Sequence, residues 1–257
     1  MMSADSFQMN SLTGKKILSY LRKGNWAHAG EAEAILKTMA PFPKNKHRSL
    51  LDVGCGIGGT AQFICDHGWG QVVGIDIDQE NIQYAQHQYP TFSFHAIDVV
   101  DVPKLLHETF DLIYLFNAFY AFADQVAALN ALKAVTKQTS VLVIFDYVCY
   151  HEYPSRDNFV VRLAEENFSP TCSFDQLLQK TGWHLIQSIN LDAEYKRWYA
   201  DLLCRFQSER KSLISQFGEE ITNRATDKYK IIYQALEQGH LGGRIFYLTL
   251  NAKVTRV

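Results

Sequence analysis

Residues 50–60 read Leu-Leu-Asp-Val-Gly-Cys-Gly-Ile-Gly-Gly-Thr, an apolar run that enters a glycine turn and then a helix start. Glycine tolerates positive φ and lets a ligand approach the backbone. The N–H groups that open a helix favour an acceptor or an anion. Two more aspartates end apolar runs downstream: Asp76, in Gly74-Ile75-Asp76-Ile77-Asp78, and Asp98, in His95-Ala96-Ile97-Asp98-Val99. A carboxylate at such a strand end can accept from both ribose hydroxyls, or it can cap the helix that follows. Asp78 reads as a cap. Taken alone, Gly54-x-Gly56-x-x-Gly59 also fits a dinucleotide fingerprint, so the loop does not decide its own ligand.

These residues need a scaffold that brings several strand ends together. The middle of the chain alternates short β-rich runs with helical stretches, which predicts a mostly parallel sheet. The expected strands are Ser49–Val53, Gln71–Asp76, Phe92–Ile97, Phe110–Phe116, Ser140–Asp146, Trp183–Ile189 and Arg244–Asn251. Asp78 should open one helix, with Ile77 and Ile82 as a hydrophobic staple and Pro90 as its stop. Leu129, Leu132 and Val135 share a helical face. Helices are also expected around Leu12–Arg22 and Glu31–Met39. The chain divides into residues 1–47 (N-terminal helices), 48–190 (core), 191–240 (a charged helical insertion) and 241–257 (a final strand). The first and third segments are expected to cap the ligand site.

Composition narrows the class. The chain has 257 residues, is 47% hydrophobic and carries a formal charge of -2. It can bury a full core, and it lacks the basic balance expected of a nucleic-acid binder. No apolar run reaches the ~18 residues of a spanning helix, and residues 1–10 do not read as a signal peptide. Five cysteines without a CxxC pair suit a reducing compartment, so a cytoplasmic location is expected. The nine histidines form no zinc spacing, and no metal is expected.

Asp52, two residues before Gly54, completes a stretch that resembles the DxGxGxG motif of class I S-adenosylmethionine-dependent methyltransferases. Asp76, Asp98 and the segment Phe110-Asp111-Leu112-Ile113-Tyr114, with Asn117 at its exit, follow the same pattern in order. The resemblance covers residues 48–190 and the last strand. It implies a Rossmann-like α/β fold whose seven-stranded sheet runs 3214576, last strand antiparallel, with Gly242-Gly243 before that reversal. It implies S-adenosyl-L-methionine as cofactor. Gly54 and Gly56 would lie along its methionine part, Asp76 and Ile77 at the ribose, Asp98 and Val99 at the adenine, and Asn117 near the sulfonium. Asp52 and the small Cys55 complete that set.

The layout is also similar to small-molecule methyltransferases of the phosphoethanolamine and sarcosine type, whose pockets are rich in tyrosine. Tyr120, Tyr147, Tyr153 and Tyr195 are the counterparts here. Two departures stand out: Ala121 occupies the position of a catalytic histidine, and Glu166 falls near the expected phosphate-binding arginine. A positioned nucleophile needs a base only if it starts protonated. The candidates are His28, His151, Tyr120 and Tyr147, with His28 and Tyr147 preferred as catalytic residues. Tyr120, Tyr147 and Tyr195 are the expected substrate contacts, and Tyr195, Arg197 and Trp198 a possible lid. The expected partner is a small-molecule acceptor bound by a monomer or homodimer, without nucleic acid or membrane. A non-catalytic cofactor-binding module and a nicotinamide-dependent oxidoreductase remain the alternatives.

Overall fold

A computed structural model describes residues 10–150 and 174–253. His151, Tyr153 and Glu166 lie outside the described residues. The strands are β1 (Ser49–Val53), β2 (Gln71–Asp76), β3 (Ser93–Ala96), β4 (Phe110–Phe116), β5 (Thr136–Cys149), β6 (His184–Asn190) and β7 (Leu241–Thr249). The helices are α1 (Leu12–Arg22), α2 (Glu31–Met39), α3 (Gly59–Asp66), α4 (Gln79–Gln88), α5 (Val102–Leu105), α6 (Gln125–Lys133), α7 (Phe174–Thr181), α8 (Asp192–Ser208), α9 (Arg210–Phe217) and α10 (Glu219–Glu237).

The seven strands form one sheet in the order β3-β2-β1-β4-β5-β7-β6. β7 runs antiparallel to both of its neighbours, and the other pairs are parallel. This is the expected Rossmann-like order. Side chains alternate across a strand, so Leu50 joins the core on one face and Leu51 the core on the other. Being covered on both faces makes β1 and β4 almost wholly apolar, and β4 is buried along nearly its full length. The edges differ: β3 is short, and β6 is largely exposed and polar.

Local signals explain most boundaries. Ser11 caps α1 by accepting from the Gly14 N–H, and Asp78 caps α4 by accepting from Glu80 and Asn81. The expected staple over α4 does not form: Ile82 is buried, but Ile77 is 72% exposed and faces the ligand cavity. The final strand also begins earlier than expected. Gly242 and Gly243 lie inside β7, paired with Val148 and Tyr147 of β5. They are strand glycines because another group needs the space: a Cβ on Gly243 would collide with the Tyr195 ring, and one on Gly242 with the Asp192 carboxylate. Gly243→Ala should therefore destabilise the fold by about 1–3 kcal/mol through overpacking. Urea unfolding would read that loss, and an unchanged midpoint would mean that Tyr195 can move aside.

Candidate functional site

The strand order reverses between β1 and β4, the usual position for a ligand crevice in an open α/β sheet. A cavity of about 620 Å³ opens there, a volume typical of small-molecule sites. Its floor is the turn after β1. Gly54 and Gly56 have φ of 76° and 55°, values that favour glycine. The turn is tied to the end of β2, because the Gly54 and Cys55 N–H groups donate to the Ile75 carbonyl at 2.8 and 2.9 Å. A Cβ on Gly54 would sit 2.5 Å from the Ala118 Cβ, so this residue also keeps the turns after β1 and β4 together.

Three of the aspartates that line the cavity have different hydrogen-bond surroundings. Asp76 accepts at Oδ2 from the Gly56 N–H (2.8 Å) and from Lys15 Nζ (3.2 Å), and at Oδ1 from the Asp78 N–H (2.9 Å). Asp98 caps the short helical turn at 99–101 through the Val100 N–H. Asp52 is buried, and its Oδ2 has no hydrogen-bond partner. Burial, aided by the charge of Asp76, pushes its pKa up to about 8. The nearby Tyr114 hydroxyl opposes that rise, yet it too lacks a partner of good geometry. Ile77 and Val100 are apolar, well exposed and part of the cavity lining beside Asp76 and Asp98. Val99 lines it as well, while Cys55 is a buried free thiol that burial holds in its neutral form.

Asn117 sits at the exit of β4 with φ of 47°, a left-handed conformation. Its amide joins three segments: Oδ1 accepts from the Ala29 N–H at 3.0 Å, and Nδ2 donates to Asp146 Oδ1 (3.3 Å) and Tyr195 Oη (3.0 Å). Asp146 is fully buried and also accepts from the backbone N–H groups of Tyr120 and Tyr147. Desolvation raises its carboxyl to about 7 against those bonds. It holds the loop at 118–120 in place.

The opposite wall is aromatic. Tyr120, Tyr147, Tyr199 and Tyr229 line the cavity. Tyr120 and Tyr147 meet edge to face at 5.3 Å, and the Tyr147 and Tyr199 hydroxyls are hydrogen-bonded. Tyr195 was expected in this wall and stands behind it: it is fully buried, lies 5.4 Å from Tyr147, and directs its hydroxyl to Asn117. Trp198 and Arg197 also turn away, both bonding Glu33.

His28 lies between floor and wall, buried and 4.8 Å from the Phe116 ring. Its Nδ1 is 2.9 Å from the Ala29 carbonyl, and its Nε2 has no partner. A carbonyl only accepts, so Nδ1 carries the proton and Nε2 keeps its lone pair. Burial lowers the pKa to about 3, which leaves the ring neutral at ordinary pH.

The cavity therefore gathers Asp52, Gly54, Cys55, Gly56, Asp76, Ile77, Asp98, Val99, Asn117, His28, Tyr120 and Tyr147. It adds residues that the sequence reading did not single out, Lys15, Tyr199 and Tyr229, while Asp146 stands behind Asn117. Tyr199 follows Tyr195 by four residues, one helical turn, a spacing that could have suggested it. Lys15 lies on the same stripe of α1 as buried Leu18 and Arg22.

With this geometry in view, residues 44–240 match the family described as a methyltransferase domain. The chain belongs to that methyltransferase family. Among curated relatives, phosphoethanolamine N-methyltransferase 3 of Arabidopsis thaliana is 25% identical over 178 residues, covering 67% of this chain and 36% of that protein. The chain thus spans about a third of the plant enzyme's length. An O-methyltransferase of Aspergillus sclerotiorum is 23% identical over 238 residues, covering 85% of this chain and 88% of the relative. In three dimensions the methyltransferase domain resembles phosphoethanolamine N-methyltransferase 2 of Haemonchus contortus, solved with phosphomonomethylethanolamine and S-adenosylhomocysteine. The TM-score is 0.80 at 16% identity, covering 92% of this chain and 57% of that one. No helix among the described residues is long and apolar enough to cross a membrane.

Proposed function

We propose that this domain transfers a methyl group from S-adenosyl-L-methionine to a nitrogen, oxygen or carbon nucleophile of a small molecule. One observation carries the reading: a single cavity has cofactor-type acids and glycines on one side and four tyrosines on the other, with Asn117 and His28 between them. The cofactor side suits an adenosyl group. Asp52 has an unpartnered oxygen, Asp76 stands at the end of β2, and exposed Ile77 and Val100 offer apolar surface to a base. When bound, the cofactor brings an already activated methyl group, so the protein's work is to position and desolvate the acceptor.

In this reading α1, α8 and α10 roof the site, because Lys15, Leu18, Tyr199 and Tyr229 come from them. His28 serves through Nε2 as a hydrogen-bond acceptor that orients an acceptor's O–H or N–H. Its low pKa makes it a poor proton store in the free protein. The Tyr147–Tyr199 pair shapes the opposite side. Both N- and O-methyltransferases occur among the relatives, and Ala121 leaves the histidine position of the phosphoethanolamine type empty of a base. Small amines and hydroxyl compounds are therefore both within the proposal. The reading assigns the protein to the cytoplasm, as a monomer or homodimer, in keeping with free thiols at Cys55, Cys65, Cys149 and Cys204.

The test is thermal shift with S-adenosylhomocysteine, with NADH as control, followed by a panel of acceptors with labelled cofactor. Saturation at 100 times Kd should add about 2.7 kcal/mol, roughly 5–10 °C for a chain of this size. A shift with NADH alone would overturn the methyltransferase reading in favour of an oxidoreductase. A shift with S-adenosylhomocysteine but no turnover on any acceptor would favour a binding module.

A further inference from the structure

Lys15 is the most unusual polar group in the cavity. It projects from α1 with its side chain only 10% exposed, and its Nζ lies 3.2 Å from Asp76 Oδ2. Of the described residues that line the cavity, it is the sole lysine or arginine, against the five aspartates 52, 76, 78, 98 and 124. Buried charges require partners, and here the partner is the acid expected to hold the ribose.

That arrangement conflicts with ribose binding. A carboxylate offers about four acceptor sites. The Gly56 and Asp78 N–H groups take two and Lys15 a third. A vicinal diol donates two hydrogen bonds, so one occupant must leave. The two N–H groups belong to the backbone of the glycine turn and of the α4 cap, whereas Lys15 is the end of a flexible side chain. The ammonium does not have far to go. Lys15 Nζ is 3.3 Å from the position a Gly56 Cβ would occupy, at the part of the turn where the amino-acid end of the cofactor is expected. That end carries a carboxylate, which would otherwise face an acidic cavity.

We propose that Lys15 is the counter-ion of the cofactor's carboxylate, released from Asp76 as the ribose hydroxyls take its place. The inference rests on the S-adenosylmethionine reading. Lys15 is thus a ligand-binding residue supplied by the N-terminal helix, and it ties the docking of that helix to recognition of the amino-acid end.

A binding cycle isolates this role. Calorimetry would compare S-adenosylhomocysteine with S-adenosyl-3-thiopropylamine, the same molecule without its carboxylate, on the wild-type protein and on Lys15→Met. Wild type should prefer the carboxylate-bearing ligand by at least about tenfold. Lys15→Met should lose that preference, with the thiopropylamine binding as well as before or better, because Asp76 is no longer occupied. Lys15→Arg should keep most of it. Equal weakening of both ligands in Lys15→Met would overturn the proposal and make Lys15 a structural partner of Asp76. A preference that survives in Lys15→Met would overturn it too, by assigning the carboxylate elsewhere. If wild type binds neither ligand, the cofactor reading itself fails, and this inference falls with it. Binding of the thiopropylamine also serves as the folding control for each variant.

Discussion

Asp76→Ala should abolish measurable binding of S-adenosylhomocysteine, with a loss of at least about 100-fold. Two charge-assisted hydrogen bonds to a ribose diol are worth about 1.5–3 kcal/mol each, and every 1.4 kcal/mol is tenfold in affinity. The same substitution carries a separate stability cost. Asp76 anchors Gly56 and Asp78 and neutralises buried Lys15, and removing one partner of a buried pair costs about 3 kcal/mol or more. The two effects can be separated. Adding Lys15→Met to Asp76→Ala removes the stranded cation and should recover a good part of the unfolding free energy without recovering binding. A calorimetric Kd within about fivefold of wild type for Asp76→Ala would show that the acid at the end of β2 is not the ribose contact.

Stability of the ligand-free protein should fall as pH rises from 5 to 8. Asp52 and Asp146 start from 3.8 and are raised to about 8 and about 7, with burial the main cause in each. Above pH 4 the unfolded chain ionises at both positions while the folded chain keeps its protons. The folded state binds more protons, so each pH unit removes about 1.4 kcal/mol per group. The share of Asp146 ends near pH 7 and that of Asp52 near pH 8. His28 acts in the other direction: its pKa drops from 6.5 to about 3 on folding, so the unfolded chain holds the extra proton there, and only up to about pH 6.5. The net fall should therefore be about that of one group below pH 6.5, where His28 offsets one carboxyl. It should be only slightly steeper near pH 6.5–7, that of Asp52 alone above pH 7, and level beyond pH 8. Melting curves across this range give the slope, and Asp52→Asn should flatten the part nearest pH 8. A melting temperature that is constant or rises from pH 6.5 to 8 would mean that water reaches these carboxyls and keeps them ionised.

Both expectations concern residues that the sequence displays with unequal clarity. β1, β2 and β4 have the expected ends because each is an apolar run closed by a sharp chemical change: Gly54 after Val53, the acids Asp76 and Asp78, and Asn117 after Phe116. The same strand ends supply most of the acids and glycines that line the cavity, so their gathering at one place was legible. β5 runs on to Cys149 because residues 147–149 pair with β7, a tertiary fact with no local mark. Gly242 and Gly243 resemble a turn in sequence and are strand residues because Tyr195 and Asp192 need the room. Lys15, Tyr199 and Tyr229 lie on helices whose exposed and buried faces both carry polar groups. Only docking of those helices on the sheet decides which side chain reaches the cavity. Asp146 is visible in Phe145-Asp146-Tyr147, but its task, holding Asn117 and the Tyr120 backbone, depends on a loop that follows another strand.

The position of β7 has a consequence for how the chain comes to its final form. It fills the slot between β5 and β6, although residues 191–240, mostly helical, separate it from β6 in sequence. Until the segment 241–249 arrives, β5 presents a long unpaired edge and β6 has no partner in the sheet. Such edges invite pairing with other chains, and contacts between distant segments form slowly. During synthesis the half of the sheet from β3 to β5 can assemble as it emerges. The aromatic half must wait, because Tyr195 packs against Gly243 and so finds its seat only once β7 has closed the gap.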